Sequence, residues 1–91
     1  MMAGGERVPI FRRGVQFRFD AVRDAWVLLA PEKLYLPDEI AVEILQRIDG
    51  RRSVDGIVDE LAAAFDAPRA EIFADVEEAL DGLAGRSVLQ W

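Results

Sequence analysis

The sequence predicts an α+β fold in which a three-stranded antiparallel meander precedes a three-helix bundle. Three observations carry this. Apolar residues alternate with a period of two in the first third of the chain. After Pro37 the apolar period becomes helical. Helix-starting and helix-stopping residues then divide the remainder into three segments.

The first strand falls within residues 14–20, where Val15, Phe17 and Phe19 share one face and Gln16 and Arg18 the other. A polar connection over 20–24 leads to the apolar run Trp26-Val27-Leu28-Leu29, which ends at Ala30-Pro31-Glu32. A third short segment, Lys33-Leu34-Tyr35-Leu36, stops at Pro37. Connections this short suit an antiparallel meander. A three-stranded sheet cannot close into a barrel, so two open edges are expected.

In the first helix Ile40, Ala41, Ile44, Leu45 and Ile48 form the apolar stripe, with an acidic, proline-led start at Pro37-Asp38-Glu39 and a stop at Gly50. Ser53 is the expected N-cap of the second helix, whose stripe is Val54, Ile57, Val58, Leu61, Ala62 and Phe65. Pro68 suits the first turn of a third helix carrying Ile72, Phe73, Val76, Leu80 and Leu83 and ending near Gly85. The apolar tail Val88-Leu89-Gln90-Trp91 is expected to pack back or to form a brief extended segment.

The 91 residues make one domain, 1–91, with residues 1–7 expected to be disordered. An apolar fraction of 52% suffices for one core. No stretch is long and apolar enough to span a membrane, and Met1 to Gly5 lacks the features of a signal peptide, so a cytoplasmic location is expected. Cysteine and histidine are absent, which removes thiolate nucleophiles, Cys/His zinc sites and the commonest base near neutral pH. There is no calcium-loop spacing and no glycine-rich phosphate loop. The chain is therefore expected not to be an enzyme, and to carry no cofactor and no metal.

Charge is uneven. Residues 1–52 hold nine basic and eight acidic side chains, whereas residues 53–91 hold two basic and nine acidic. Nucleic-acid readers carry their basic residues on the element that enters the groove. Here the second and third helices have only Arg69 and Arg86. The acidic half suits a basic peptide or partner surface, or simple solubility.

Several anchors, in order, resemble a known family. They are Phe11-Arg12-Arg13-Gly14, Trp26-Val27-Leu28-Leu29-Ala30-Pro31-Glu32, Ile44-Leu45-Gln46-Arg47-Ile48-Asp49-Gly50, Ser53-Val54, and Asp75-Val76 followed by Ala79-Leu80. Over residues 8–90 the chain resembles the D protein of pyrroloquinoline quinone (PQQ) biosynthesis, a family of precursor-peptide recognition domains with a winged helix-turn-helix-like fold. One departure is Leu36-Pro37-Asp38, where the family has Leu-Asn; it moves the expected helix cap to Asp38 and leaves the exit of the third strand open.

The resemblance implies a peptide chaperone without chemistry. It would bind the ribosomally made precursor peptide and associate with the radical SAM enzyme that cross-links the peptide. In related domains the peptide adds as a strand to the third strand and packs against the third helix. Carried over by position, the edge is Lys33, Leu34, Tyr35 and Leu36, and the pockets are lined by Val76, Leu80 and Leu83. Each also has a plainer reading: Val76, Leu80 and Leu83 as core, Tyr35 as a core residue with a wet hydroxyl, Lys33 as an edge charge against aggregation. Glu71, Asp75, Glu77, Glu78 and Asp81 read as a solvated face or a partner surface. Trp26 reads as a core anchor, and Trp91 as a core plug or a partner contact. Two other functions fit the same elements, a winged-helix DNA binder and a homodimer paired through its strand edges.

Overall fold

The computed structural model describes residues 5–91. Five strands and three helices follow in the order β1 (Ile10–Phe11), β2 (Gln16–Asp20), β3 (Ala25–Ala30), β4 (Lys33–Tyr35), α1 (Glu39–Leu45), α2 (Val54–Phe65), α3 (Arg69–Gly85) and β5 (Leu89–Gln90). The predicted meander is the antiparallel sheet β2-β3-β4, and three helices follow it as expected. The expectation of disorder over residues 1–4 lies outside the described residues. Beyond them, the carbonyls of Gly5 and Arg7 accept from the Asp55 and Val54 amides, both at 2.8 Å, filling two of the donors that a helix start leaves free.

The β2–β3 hairpin turns on Asp20. Its Oδ1 accepts from the amides of Val22 (2.9 Å) and Arg23 (3.2 Å), and its Oδ2 from the Arg23 guanidinium (2.7 Å). The Arg23 side-chain and backbone donors hold this carboxyl below its ordinary value. Phe19 stands opposite Trp26, and Phe17 opposite Leu28. Phe17 stacks on the Trp26 ring at 4.8 Å between centroids, and Phe19 meets it edge-on at 5.8 Å. Phe17 and Leu28 of this face pack in the core, whereas Phe19 is exposed and Val27 of the opposite face is fully buried.

Pro31 and Glu32 make the two-residue turn into β4, which pairs with only half of β3: Ala30 with Lys33, Leu29 with Leu34 and Leu28 with Tyr35. Pro37, which has no N–H to donate, follows soon after, and Ala25, Trp26 and Val27 are left with β2 as their only partner strand among the described residues. Asp38 then caps α1, its Oδ1 accepting from the Ala41 amide at 2.8 Å. The departure at Leu36-Pro37-Asp38 is resolved in this way, with the cap on Asp38.

The first helix is shorter than its apolar stripe suggests. It stops at Leu45, and Arg47 and Ile48 continue in tighter turns, donating to Ile44 (3.1 Å) and Leu45 (3.2 Å). Ile48 remains buried, so the stripe is honoured although the helix is not. Ser53 caps α2 through the Gly56 amide at 3.1 Å, and Asp66 closes it with φ 51°. The third helix follows Pro68 and ends at Gly85.

The tail returns as β5 and pairs with β1, Ile10 opposite Gln90 and Phe11 opposite Leu89. This second, two-stranded sheet is absent from the three-strand expectation. Two residues carry no readable period, and the pairing partners lie at opposite ends of the chain. The core gathers Leu28 from the sheet, Ile44, Leu45 and Ile48 around α1, Val54, Ile57, Val58 and Leu61 of α2, Val76 and Leu80 of α3, and Val88 and Leu89 of the tail. Trp91 is half-buried beside this core, with the Arg7 guanidinium 4.2 Å above its ring and donating to its carbonyl.

Candidate functional site

The outer edge of β4 has no strand partner among the described residues. A two-residue turn closes on a hydrogen-bonded pair, and bonded and non-bonded pairs alternate along an antiparallel ladder. Leu34, in the pair after the closing Ala30–Lys33 pair, therefore turns its N–H and C=O toward the free edge. Lys33 and Leu34 are exposed, Tyr35 is half-buried against the core, and Leu36 is exposed just past the strand. The four predicted edge residues thus form one continuous segment.

Directly after this segment the surface opens into a cavity of about 540 Å³. Trp26 of β3 forms one wall. Pro37, Ile40, Val42 and Ile44 come from α1 and its entry, Leu61 and Phe65 from the end of α2, and Ile72 and Val76 from α3. Glu39, Glu43 and Asp75 complete the lining. Ile40 is 66% exposed and Phe65 55%, so both present apolar surface that no described residue covers. The cavity lies where β4 has ended and β3 runs on paired with β2, so Pro37 both shortens the sheet and lines the opening.

Of the predicted pocket residues, Val76 lines this cavity, although it is almost fully buried. Leu80 is fully buried in the core and Leu83 is half-buried against it; neither lines the cavity. Trp26, Pro37, Ile40, Phe65, Ile72 and Asp75 do; from the sequence Asp75 reads as part of a solvated face or partner surface, and the other five belong to no predicted site. Ile40 and Phe65 had a usable signal. They stand at the first and last turns of their helices, where an apolar stripe runs past the core it covers.

Charge around α2 and α3 is largely internal. Arg69 reaches Asp59 at 2.6 Å and Asp55 at 2.8 Å, and these two carboxylates hold its guanidinium above its ordinary value. Arg86 donates to the Gly82 carbonyl. Arg69 is thus ion-paired and Arg86 donates to a carbonyl of the last turn of α3, against nine acidic side chains in residues 53–91. Among the described residues there is no group of three or more His, Cys, Asp or Glu side chains that could hold a metal ion, and no helix is long and apolar enough to cross a membrane.

Comparison with known proteins identifies the family of this fold. The family model for coenzyme PQQ synthesis protein D matches residues 25–89. A Rhodopseudomonas palustris (strain BisB5) protein named PqqA binding protein is 51% identical over 81 residues, covering 89% of this chain and 79% of the relative. A Xanthomonas oryzae protein of the same name is 49% identical over 82 residues, 90% of this chain and 89% of the relative. Among solved structures, the solution structure of the PqqD truncation of Methylobacterium extorquens PqqCD superposes with a TM-score of 0.80 at 45% identity, over 96% of this chain and 93% of that one. It is described as a functional, stand-alone recognition element for ribosomally synthesised and post-translationally modified peptides. The crystal structure of PqqD from Xanthomonas campestris gives a TM-score of 0.62 at 40% identity, over 99% and 100% of the two chains.

Proposed function

The chain belongs to the family of coenzyme PQQ synthesis protein D, and from that premise we propose that it is a non-catalytic adaptor that binds the precursor peptide PqqA and presents it to the radical SAM enzyme that cross-links the peptide. The observation that carries the proposal is the unpaired β4 edge running into the apolar cavity at Pro37. The edge supplies backbone hydrogen bonds, which give affinity with little sequence preference, and the cavity supplies pockets, which give the preference. The peptide adds as a strand along Lys33, Leu34, Tyr35 and Leu36. Its side chains then enter the cavity against Trp26, Ile40, Phe65, Ile72 and Val76. Leu80 and Leu83 act from beneath, by holding α3 in place. Binding leaves the peptide extended, with its reactive part free for the enzyme.

Backbone and side-chain contributions at the edge separate in one pair of variants. Leu34→Pro removes the outward N–H, and proline is tolerated on an edge strand. Leu34→Ala keeps that N–H and loses only the side chain, which points away from the cavity face with Leu29. Calorimetric titration with synthetic PqqA is expected to show Leu34→Pro weakened up to about tenfold, the worth of one backbone hydrogen bond, and Leu34→Ala close to the parent. Equal affinities for the two variants would remove strand addition at β4.

A further inference from the structure

The cavity is apolar in its walls but acidic in its polar groups. Its three charged lining residues, Glu39, Glu43 and Asp75, are all carboxylates, and no Lys or Arg lines it. Glu43 is already engaged by the Arg47 guanidinium at 2.9 Å. Glu39 and Asp75 are exposed, and neither forms an ion pair among the described residues. Elsewhere the protein answers its α2 acids from within, Asp55 and Asp59 through Arg69, and Glu60 through Arg47 and Arg52. A first-turn acid such as Glu39 is also favourable to its own helix, but Asp75 lies mid-way along α3, where no such benefit exists.

On the reading that this cavity receives the precursor peptide, we infer that it selects a basic side chain of that peptide, seating the aliphatic stem against Ile40 and Ile72 and the cationic head at Glu39 and Asp75. Lysine and arginine suit such a site, because their methylene stems bury along apolar surface while the charge stays at the rim. Apolar walls beside the carboxylates also lower the local dielectric and strengthen the attraction relative to open surface. A neutral apolar anchor would fill the walls but leave both carboxylates without a partner. An acidic residue at that peptide position would be repelled.

The test is a titration of synthetic PqqA, and of PqqA peptides with each Lys or Arg changed in turn to Gln, against the parent protein, Glu39→Gln, Asp75→Asn and the double variant. Each single variant is expected to bind the unaltered peptide about threefold more weakly, and the double about tenfold. Raising the salt to about 0.3 M should shrink that difference. One of the Gln peptides should lose as much on the parent protein and nothing further on the double variant, the sign of a direct pair. A double variant that binds every peptide as the parent does would overturn the inference. That failure is distinct from failure of the adaptor reading, in which the parent protein itself does not bind PqqA.

Discussion

Leu80→Ala is expected to lower folding stability by about 3 kcal/mol, a large share of the roughly 5–10 kcal/mol that a domain of this length holds. Leu80 is wholly inaccessible on α3 and packs in the cluster that joins the sheet, α2 and the tail. Truncation there removes apolar contact and leaves a void that its neighbours fill only in part. Thermal unfolding followed by circular dichroism should show a midpoint lowered by about 15 °C. Below the transition, affinity for PqqA should change less than about twofold, because Leu80 does not line the cavity. A large loss of affinity in protein shown to be folded would instead make Leu80 a direct peptide contact. Leu83→Ala, at a half-buried position, should cost less stability than Leu80→Ala.

Ile40→Asn has the opposite signature. Ile40 is largely exposed, so the unbound fold should lose less than about 0.5 kcal/mol. The same side chain lines the cavity, and covering it with a peptide anchor removes apolar area from water on both partners. Asparagine offers the anchor a polar surface whose hydrogen bonds with water must be given up on binding. Calorimetry should record a loss of about twentyfold in affinity for PqqA with an unchanged melting temperature. Parent-like affinity would remove the cavity from the binding site and leave the strand edge alone to account for recognition.

These two residues also show where the sequence was informative and where it was not. Leu80 and Ile40 belong to equally clean helical stripes, and periodicity alone cannot say which positions of a stripe meet another element and which overhang it. The caps at Asp38 and Ser53 and the stop near Gly85 were readable because each is a local event with a local signature. The open edge at residues 33–36 was readable because it follows from strand number, and Pro37 marked its end. The β1–β5 pair was not, since two-residue strands have no period and their register is set by docking of the chain ends. The early end of α1 was not either: Ile48 is buried whether or not the helix continues, so the stripe gave no warning. The cavity lay furthest from the sequence. It is made by Trp26, α1, the end of α2 and α3 only once the tertiary fold has brought them together.

The central claim is that PqqA lies along the β4 edge and enters the cavity beside α1 and α3. A titration of ¹⁵N-labelled protein with PqqA, following backbone amide shifts, tests it most directly. Saturable shifts are expected on residues 33–36, 40, 72, 75 and 76, with the β1–β5 end of the molecule undisturbed. Flat spectra at high peptide excess, or shifts gathered at residues 10–11 and 89–90, would contradict it.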